Sequence, residues 1–344
     1  MLLETVVPPA FGKEHKVSVQ LHDRFGRSFP YLRLSLLEAC NFRCSYCLPE
    51  GFRATAGRPR PLDAEEIRRL LAGFAHLGLR KLRYTGGEPS LRRDLPELIR
   101  IAAATPGIER VALTTNGTRL PERVAVWRTA GLTHLNVSVD ALERERFATI
   151  TGHDRLPEIL EGIEQALTLG YAAIKLNAVL LRGLNDDQLP QWFDYLRERR
   201  VSVRFIELMQ TGDNLAYFQR HHLRAESLEA LLMARGWRLL PRAADAGPAR
   251  EYQHADYAGR IGIIAPYSKD FCAGCNRLRV TSLGDLRLCL FGNVGIPLRP
   301  LLQCDTQLPQ LVATLGGQMS LKQLGHRLDA GETGLTPNLS TIGG

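Results

Sequence analysis

The sequence predicts an α/β protein built as a partial (β/α)6-type TIM barrel with an open polar lumen. Three observations carry that prediction. From Tyr31 to Ile206, strand-like stretches alternate with helix-length segments, the rhythm of a parallel sheet covered by helices. The strand-like stretches mix polar with apolar residues, where a strand buried on both faces would read as a continuous apolar run. A group of cysteines follows the first stretch directly, which places it at the carboxyl end of a strand, where barrels of this class carry their sites.

Taken in order, residues 1–30 read as an arm with Pro8-Pro9 and the turn-rich Asp23-Arg24-Phe25-Gly26-Arg27. Strands are expected over Tyr31 to Ser35, Lys81 to Thr85, Arg110 to Thr114, His134 to Val139, Ala173 to Val179 and Ser202 to Ile206. Helices are expected over Ala64 to Leu77, Leu95 to Ala103, Pro121 to Ala130, Pro157 to Leu169 and Gln188 to Glu198. The Pro157 segment shows the helical period, with Ile159, Leu160, Ile163, Ala166 and Leu167 on one face and Gly170 as its stop. After Arg204 the rhythm fades, and Leu240 to Gly259 reads as a linker or long loop.

Bulk properties narrow the function. The chain of 344 residues is 44% hydrophobic and 23% charged, values of an ordinary globular protein. No apolar run approaches a membrane span, and Met1 to Lys13 lacks the basic start and apolar centre of a signal peptide, so a cytoplasmic protein is expected. The net charge of +8 suits a polyanionic ligand. Without a long basic run or a recognisable nucleic-acid motif, a nucleotide is expected rather than nucleic acid.

Six of the seven cysteines form two groups at ligand spacing, and a reducing compartment keeps them as thiols. Cys304 stands apart and is expected to be a small buried residue. Cys40, Cys44 and Cys47 form a C-x-x-x-C-x-x-C frame. Thiolates select iron–sulfur clusters, zinc or copper, and three of them leave a four-iron cluster with one open corner. Cys272 and Cys275, with Cys289 after thirteen intervening residues, form a second incomplete set, which zinc with a borrowed ligand also fits. The extension carrying it is expected to close the barrel.

Strand alternation places Arg33, Lys81, Arg83, Lys175 and Arg204 on lumen-facing positions. Buried cations need partners, so the lumen is expected to hold a polyanion. Arg277 and Arg279 alternate just beyond Cys275, and an open iron beside two arginines suits a neutral base with an attached phosphate. Gly86-Gly87-Glu88-Pro89 follows the second strand, where glycine lets backbone approach a ligand and Glu88 can neutralise an ammonium. Thr114-Thr115-Asn116-Gly117 and Ser138-Val139-Asp140 offer hydroxyls for a ribose or carboxylate, with turn and capping roles as the plainer reading of Thr115 and Asp140. A free tail like Ser340 to Gly344 is ordinarily disordered.

The first cysteine frame, with Tyr46 before its last member, resembles the radical S-adenosylmethionine superfamily. Two three-cysteine sets in this order, Cys275-Asn276-Arg277-Leu278-Arg279 and a terminal Gly343-Gly344 resemble the GTP 3′,8-cyclases of molybdenum cofactor biosynthesis, from the Asp23 turn to the last residue. The resemblance implies two 4Fe–4S clusters, one on Cys40, Cys44 and Cys47 and one on Cys272, Cys275 and Cys289. It implies S-adenosylmethionine against Tyr46, Gly87, Ser138 and Met209. It implies GTP against Arg33, Arg83, Thr114, Lys175, Arg277, Leu278 and Arg279, with Lys81 and Arg204 as additions. Gly343 and Gly344 are then expected to enter the active site.

The implied reaction makes (8S)-3′,8-cyclo-7,8-dihydroguanosine 5′-triphosphate. It needs a flavodoxin- or ferredoxin-like electron donor and a downstream cyclic pyranopterin monophosphate synthase. The implied organisation is an N-terminal arm over 1–30, a radical barrel over 31–210, a second-cluster domain over 211–330 and a tail over 331–344, as a monomer or homodimer. One departure stands out: the family's Thr-Asp-Arg before the first cysteine is Leu37-Glu38-Ala39 here. Rival readings are a peptide-modifying radical enzyme, which gives the lumen cations no use, and a zinc-stabilised binding protein, which two incomplete ligand sets oppose.

Overall fold

The computed structural model describes residues 20–54, 57–243 and 246–343. The arm before Gln20 therefore lies outside the described residues, as do Met1 to Lys13 and Gly344. Within the rest of the arm, Gly26 adopts φ +77°, and the Asp23 carboxylate accepts from the Phe25 and Arg27 amides, the turn the sequence predicts.

The elements follow the predicted alternation: β1 (Tyr31–Ser35), α1 (Ala64–His76), β2 (Lys81–Thr85), α2 (Leu95–Ala104), β3 (Arg110–Thr115), α3 (Leu120–Thr129), β4 (His134–Ser138), α4 (Arg144–Thr151), α5 (Leu156–Thr168), β5 (Ala173–Leu180), α6 (Leu189–Glu198) and β6 (Ser202–Glu207). Helices α2, α3, α5 and α6 each begin with Leu-Pro. Proline fits there because the first-turn amide it lacks would have no intrahelical acceptor, and its φ is already helical. Helix α1 begins with a reciprocal cap: the Asp63 carboxylate accepts from the Glu66 amide at 2.8 Å and Glu66 accepts from the Asp63 amide at 2.9 Å.

Beyond β6 come α7 (Leu215–His221), α8 (Glu226–Ala234), β7 (Arg238–Leu239), β8 (Arg250–Gln253), β9 (Arg260–Ile264), β10 (Arg277–Val280), β11 (Asp285–Arg287), β12 (Ile296–Pro297) and α9 (Leu308–Gly317). One sheet contains every strand among the described residues, in the order β12-β11-β10-β1-β2-β3-β4-β5-β6-β9-β8-β7. From β10 through β9 the neighbours pair in parallel, so the sheet curves as a partial barrel that stays open. The extension lengthens both edges, adding β9, β8 and β7 beyond β6 and β10, β11 and β12 beyond β1, with the loop between β9 and β10 joining the two sides. The segment Leu240 to Gly259 is corrected: it supplies β8, which pairs antiparallel with β9, and its Ala/Pro/Gly-rich composition hid that strand.

The apolar face of each strand lies under the helices, with Leu32, Leu34, Leu82, Leu135, Leu176 and Val203 fully buried. Helix α9 covers α1, where a Cβ on Gly73 would lie 2.5 Å from Leu311. Cys304 is exposed, not buried as expected, because it precedes the surface turn Asp305–Gln307 instead of facing the core.

Candidate active site

The first cysteine loop is held from three sides. Helix α4, which sequence patterning missed, ends in carbonyls that need partners; Thr151 accepts from the Arg43 amide at 3.0 Å and Ile150 from the Ser45 amide at 2.9 Å. Its charged, weakly amphipathic sequence hid it, although Gly152 at φ +72° marks its end. The Gly86-Gly87 turn docks on the backbone before Cys40: Gly87 donates to the Leu37 carbonyl and Glu88 to the Ala39 carbonyl, both at 2.8 Å. A Cβ on Gly87 would lie 2.2 Å from the Ala39 oxygen. Residues 37–39 thus contribute carbonyls at these contacts, which explains how Leu-Glu-Ala can replace Thr-Asp-Arg. Asn116 donates to the Asn41 side chain, completing the cradle.

Glu88 requires a correction. It is fully buried, with Oε1 accepting from the Ser90 amide and the Thr115 hydroxyl and Oε2 from the Asn116 amide. Those donors occupy the carboxylate, so it braces the end of β3 instead of meeting a ligand's ammonium. Thr115 is a brace by the same bond. Asp140 accepts from the Tyr46 hydroxyl and the Val179 amide, both at 2.9 Å, and burial pushes its carboxyl up to about 6.

Two cavities meet in the lumen. The first is lined by Cys40, Cys44, Cys47, Tyr46, Gly87, Thr114, Ser138, Asp140 and Met209. The second is lined by Cys272, Cys275, Cys289, Arg33, Arg83, Arg204, Arg277 and Arg279. Asn177, Ile206 and Met209 line both, so one wall joins the two cysteine sets in a single chamber.

The thiols suit clusters. Each cavity gathers three cysteines, a set that leaves one corner of a four-iron cluster open. Burial pushes the Cys40 thiol up to about 11 and the Cys47 thiol up to about 12, so a cationic metal group is needed to hold them as thiolates. At the second set burial also opposes ionisation of Cys275, but Arg277 and Lys322 bring it down to about 7.

The lumen cations sit where alternation placed them. Arg33, Lys81, Arg83 and Arg204 are buried, and Arg277 and Arg279 are buried beside them. Register pairs Arg33 with Arg83 on one side and Arg279 on the other. The Nε atoms of Arg33, Arg83 and Arg204, Nη1 of Arg279 and the Thr114 hydroxyl have no hydrogen-bond partner among the described residues, which fits acceptors on a ligand. Arg204 alone of the five predicted lumen cations forms an ion pair among the described residues, donating to Glu251 of β8 at 2.6 Å. Lys81 and Lys175 lie outside the lining of the second cavity; burial brings Lys81 down to about 8 and Lys175 down to about 7.

Leu278 is a second correction. Strand alternation turns its side chain into the apolar core between Arg277 and Arg279, so it offers a ligand no side-chain contact. Sequence reasoning also missed Leu339 and Ser340, which line the first cavity and donate their amides to Cys47. Gly343 is buried against Thr85 of that cavity, where an added Cβ would lie 2.2 Å from a Thr85 methyl.

Residues 34–196 match the Radical SAM superfamily model and residues 201–328 the Molybdenum Cofactor Synthesis C model. A GTP 3′,8-cyclase of Stenotrophomonas maltophilia strain K279a is 68% identical over 325 residues, 94% of this chain and 99% of that one. The chain belongs to the GTP 3′,8-cyclase family. A second member, from Aeromonas hydrophila subsp. hydrophila, is 51% identical over 341 residues, covering 98% of this chain and 99% of its own. At the level of fold, the cyclase family chain is similar to Streptococcus suis SuiB bound to S-adenosylmethionine, with a TM-score of 0.59 at 14% identity, covering 85% of this chain and 67% of that one. No helix among the described residues is long and apolar enough to cross a membrane.

Proposed function

We propose that this protein is a GTP 3′,8-cyclase that converts GTP to (8S)-3′,8-cyclo-7,8-dihydroguanosine 5′-triphosphate, the first step of molybdenum cofactor biosynthesis. The observation that carries the reading is the single chamber with a three-thiol set at each end and, between them, arginines with guanidinium nitrogens that have no hydrogen-bond partner among the described residues. Two 4Fe–4S clusters and S-adenosylmethionine are the cofactors; when bound they supply a hydrogen-abstracting radical at one end and an open iron for guanine at the other.

The chain's own residues do the positioning. The Gly87 backbone, Tyr46, Ser138 and Met209 surround the space for S-adenosylmethionine beside Cys40, Cys44 and Cys47. Met209 and Asn177, lining both cavities, fix how closely that space approaches the substrate. Arg33, Arg83, Arg204 and Arg279 hold the triphosphate by charge-assisted bonds, with Lys81 and Lys175 adding charge beyond the cavity wall. Arg277 stands beside Cys275, its Nη2 at 3.9 Å from the sulfur and its guanidinium carbon 5.7 Å from the Phe271 ring, facing the base. Thr114 offers its free hydroxyl to ribose or cofactor. Leu339 and Ser340 line the first cavity and Gly343 packs on its Thr85, so this segment closes the cavity and excludes water.

A flavodoxin- or ferredoxin-like donor supplies electrons, and a cyclic pyranopterin monophosphate synthase takes the product. A cytoplasmic setting suits both steps, because reducing conditions there keep ligand thiols from oxidising. The test is chromatography of an anaerobic reaction with S-adenosylmethionine, a reductant and either GTP or ATP. A cyclised nucleotide from GTP alone supports the reading; equal turnover of both nucleotides, or of neither, overturns it.

A further inference from the structure

Segment 322–326 wraps the outer side of the second cysteine set. Arg27, paired with Asp23 at 2.7 Å, fastens it by donating to the Gln323 and Leu324 carbonyls at 2.7 Å and to the Cys272 carbonyl at 3.0 Å. Gly325 packs on Cys272, where an added Cβ would lie 3.7 Å from the sulfur, and the His326 amide donates to that thiol. At the head of the segment stands Lys322, only 3% exposed.

The Lys322 ammonium donates to the Leu288 carbonyl, next to Cys289, and lies 5.0 Å from the centroid of the Phe29 ring. No carboxylate is among its hydrogen-bond or charged neighbours in the described residues. Its charged neighbours are Arg27 and Arg277, which repel it, and Cys275 and Cys289, which attract it. A buried ammonium is costly unless an anion offsets it. The anions within reach are the second set's sulfurs in their ligating, thiolate form.

We propose that Lys322 is the counter-charge and positioning residue of the second cluster: it holds the Leu288–Cys289 turn in place and raises the cluster's reduction potential. A reduced cluster with three thiolates carries one more negative charge than an oxidised one, so a fixed cation beside it favours reduction. The same field favours a donor of electron density at the open iron. That last consequence rests on the cyclase reading; the potential itself does not.

The test is a redox titration followed by electron paramagnetic resonance on full-length, reconstituted protein without substrate, with iron content measured in parallel. The second cluster's signal is the one absent from Cys289→Ala. Lys322→Met, similar in length but neutral, is expected to lower the reduction equilibrium about tenfold, a midpoint about 59 mV more negative, while Lys322→Arg stays near wild type. An unchanged midpoint in Lys322→Met with full iron overturns the proposal. Loss of the second cluster in Lys322→Met but not in Lys322→Arg supports it, and loss in both assigns the position to shape and overturns it. GTP added afterwards tests the cyclase reading alone: if it leaves the second cluster's signal unchanged, that reading fails and the potential shift stands.

Discussion

Gly87→Ala is the sharpest single perturbation of the first site. The added methyl would lie 2.2 Å from the Ala39 oxygen and 2.4 Å from the Glu38 oxygen, both backbone atoms that no rotamer change can clear. The turn must move off residues 37–39, breaking the Gly87–Leu37 and Glu88–Ala39 hydrogen bonds. Two such bonds at about 1 kcal/mol each, with about 1–3 kcal/mol for overpacking, give about 3–5 kcal/mol. The displaced segment ends at Cys40, so the loss falls on the cluster and the cofactor. With about 3 kcal/mol expressed there, the Kd for S-adenosylmethionine rises roughly hundredfold. Equilibrium dialysis with labelled S-adenosylmethionine, alongside iron content, reads this directly. Gly316→Ala is the control: nothing lies within 4 Å of its Cβ position in α9, and alanine is the better helix former by about 1 kcal/mol. Wild-type affinity and full iron in Gly87→Ala would refute the reasoning.

Three further outcomes are expected. Arg83→Met removes one charge-assisted contact of about 1.5–3 kcal/mol, raising the Kd for GTP about 10- to 150-fold by calorimetry and leaving S-adenosylmethionine binding unchanged. Equal losses for both ligands would place Arg83 outside the substrate half. Tyr31, with Lys81 4.6 Å, Arg83 5.7 Å and Arg33 5.9 Å from its ring, has a phenol that burial pushes up but these cations bring down to about 6. Its ionised form therefore stabilises the fold at high pH, and that contribution is lost as pH falls through about 6. A near-ultraviolet difference titration of wild type against Tyr31→Phe should show one tyrosinate forming there; none below the usual tyrosine range contradicts it. Glu66 is opposed by burial, but Arg299, the Asp63 amide and Arg60 hold its carboxyl down to about 2. Its contribution, at most about 3 kcal/mol, is present above the usual 4.5 and disappears as pH falls through about 2. Denaturant melts of wild type and Glu66→Gln should converge over that window, and a constant gap would show that the pairing is not the cause.

What could be read from the sequence followed from periodicity and spacing. Strands β1 and β2 and the lumen cations were legible because a strand turns alternate side chains to one face whatever surrounds it. Both cysteine sets were legible because ligand spacing is local. The features that escaped are long-range. Helix α4 has little apolar face and matters through two carbonyls that reach the cysteine loop. Strand β8 lies in a composition that ordinarily means loop, and its Glu251 becomes meaningful only once β6 brings Arg204 beside it. Glu88 looked available to a ligand because its three donors are brought to it by β3 and its own turn. Lys322 is more than thirty residues from the nearest cysteine that matters to it, so no motif records it.

The most direct test of the account is to quantify 5′-deoxyadenosine from the anaerobic, reconstituted protein given S-adenosylmethionine and dithionite, with and without GTP. A GTP-dependent burst that disappears in both Cys40→Ala and Cys289→Ala is expected, because each end of the chamber is required. Equal 5′-deoxyadenosine without GTP, or a burst that survives in Cys289→Ala, would contradict it.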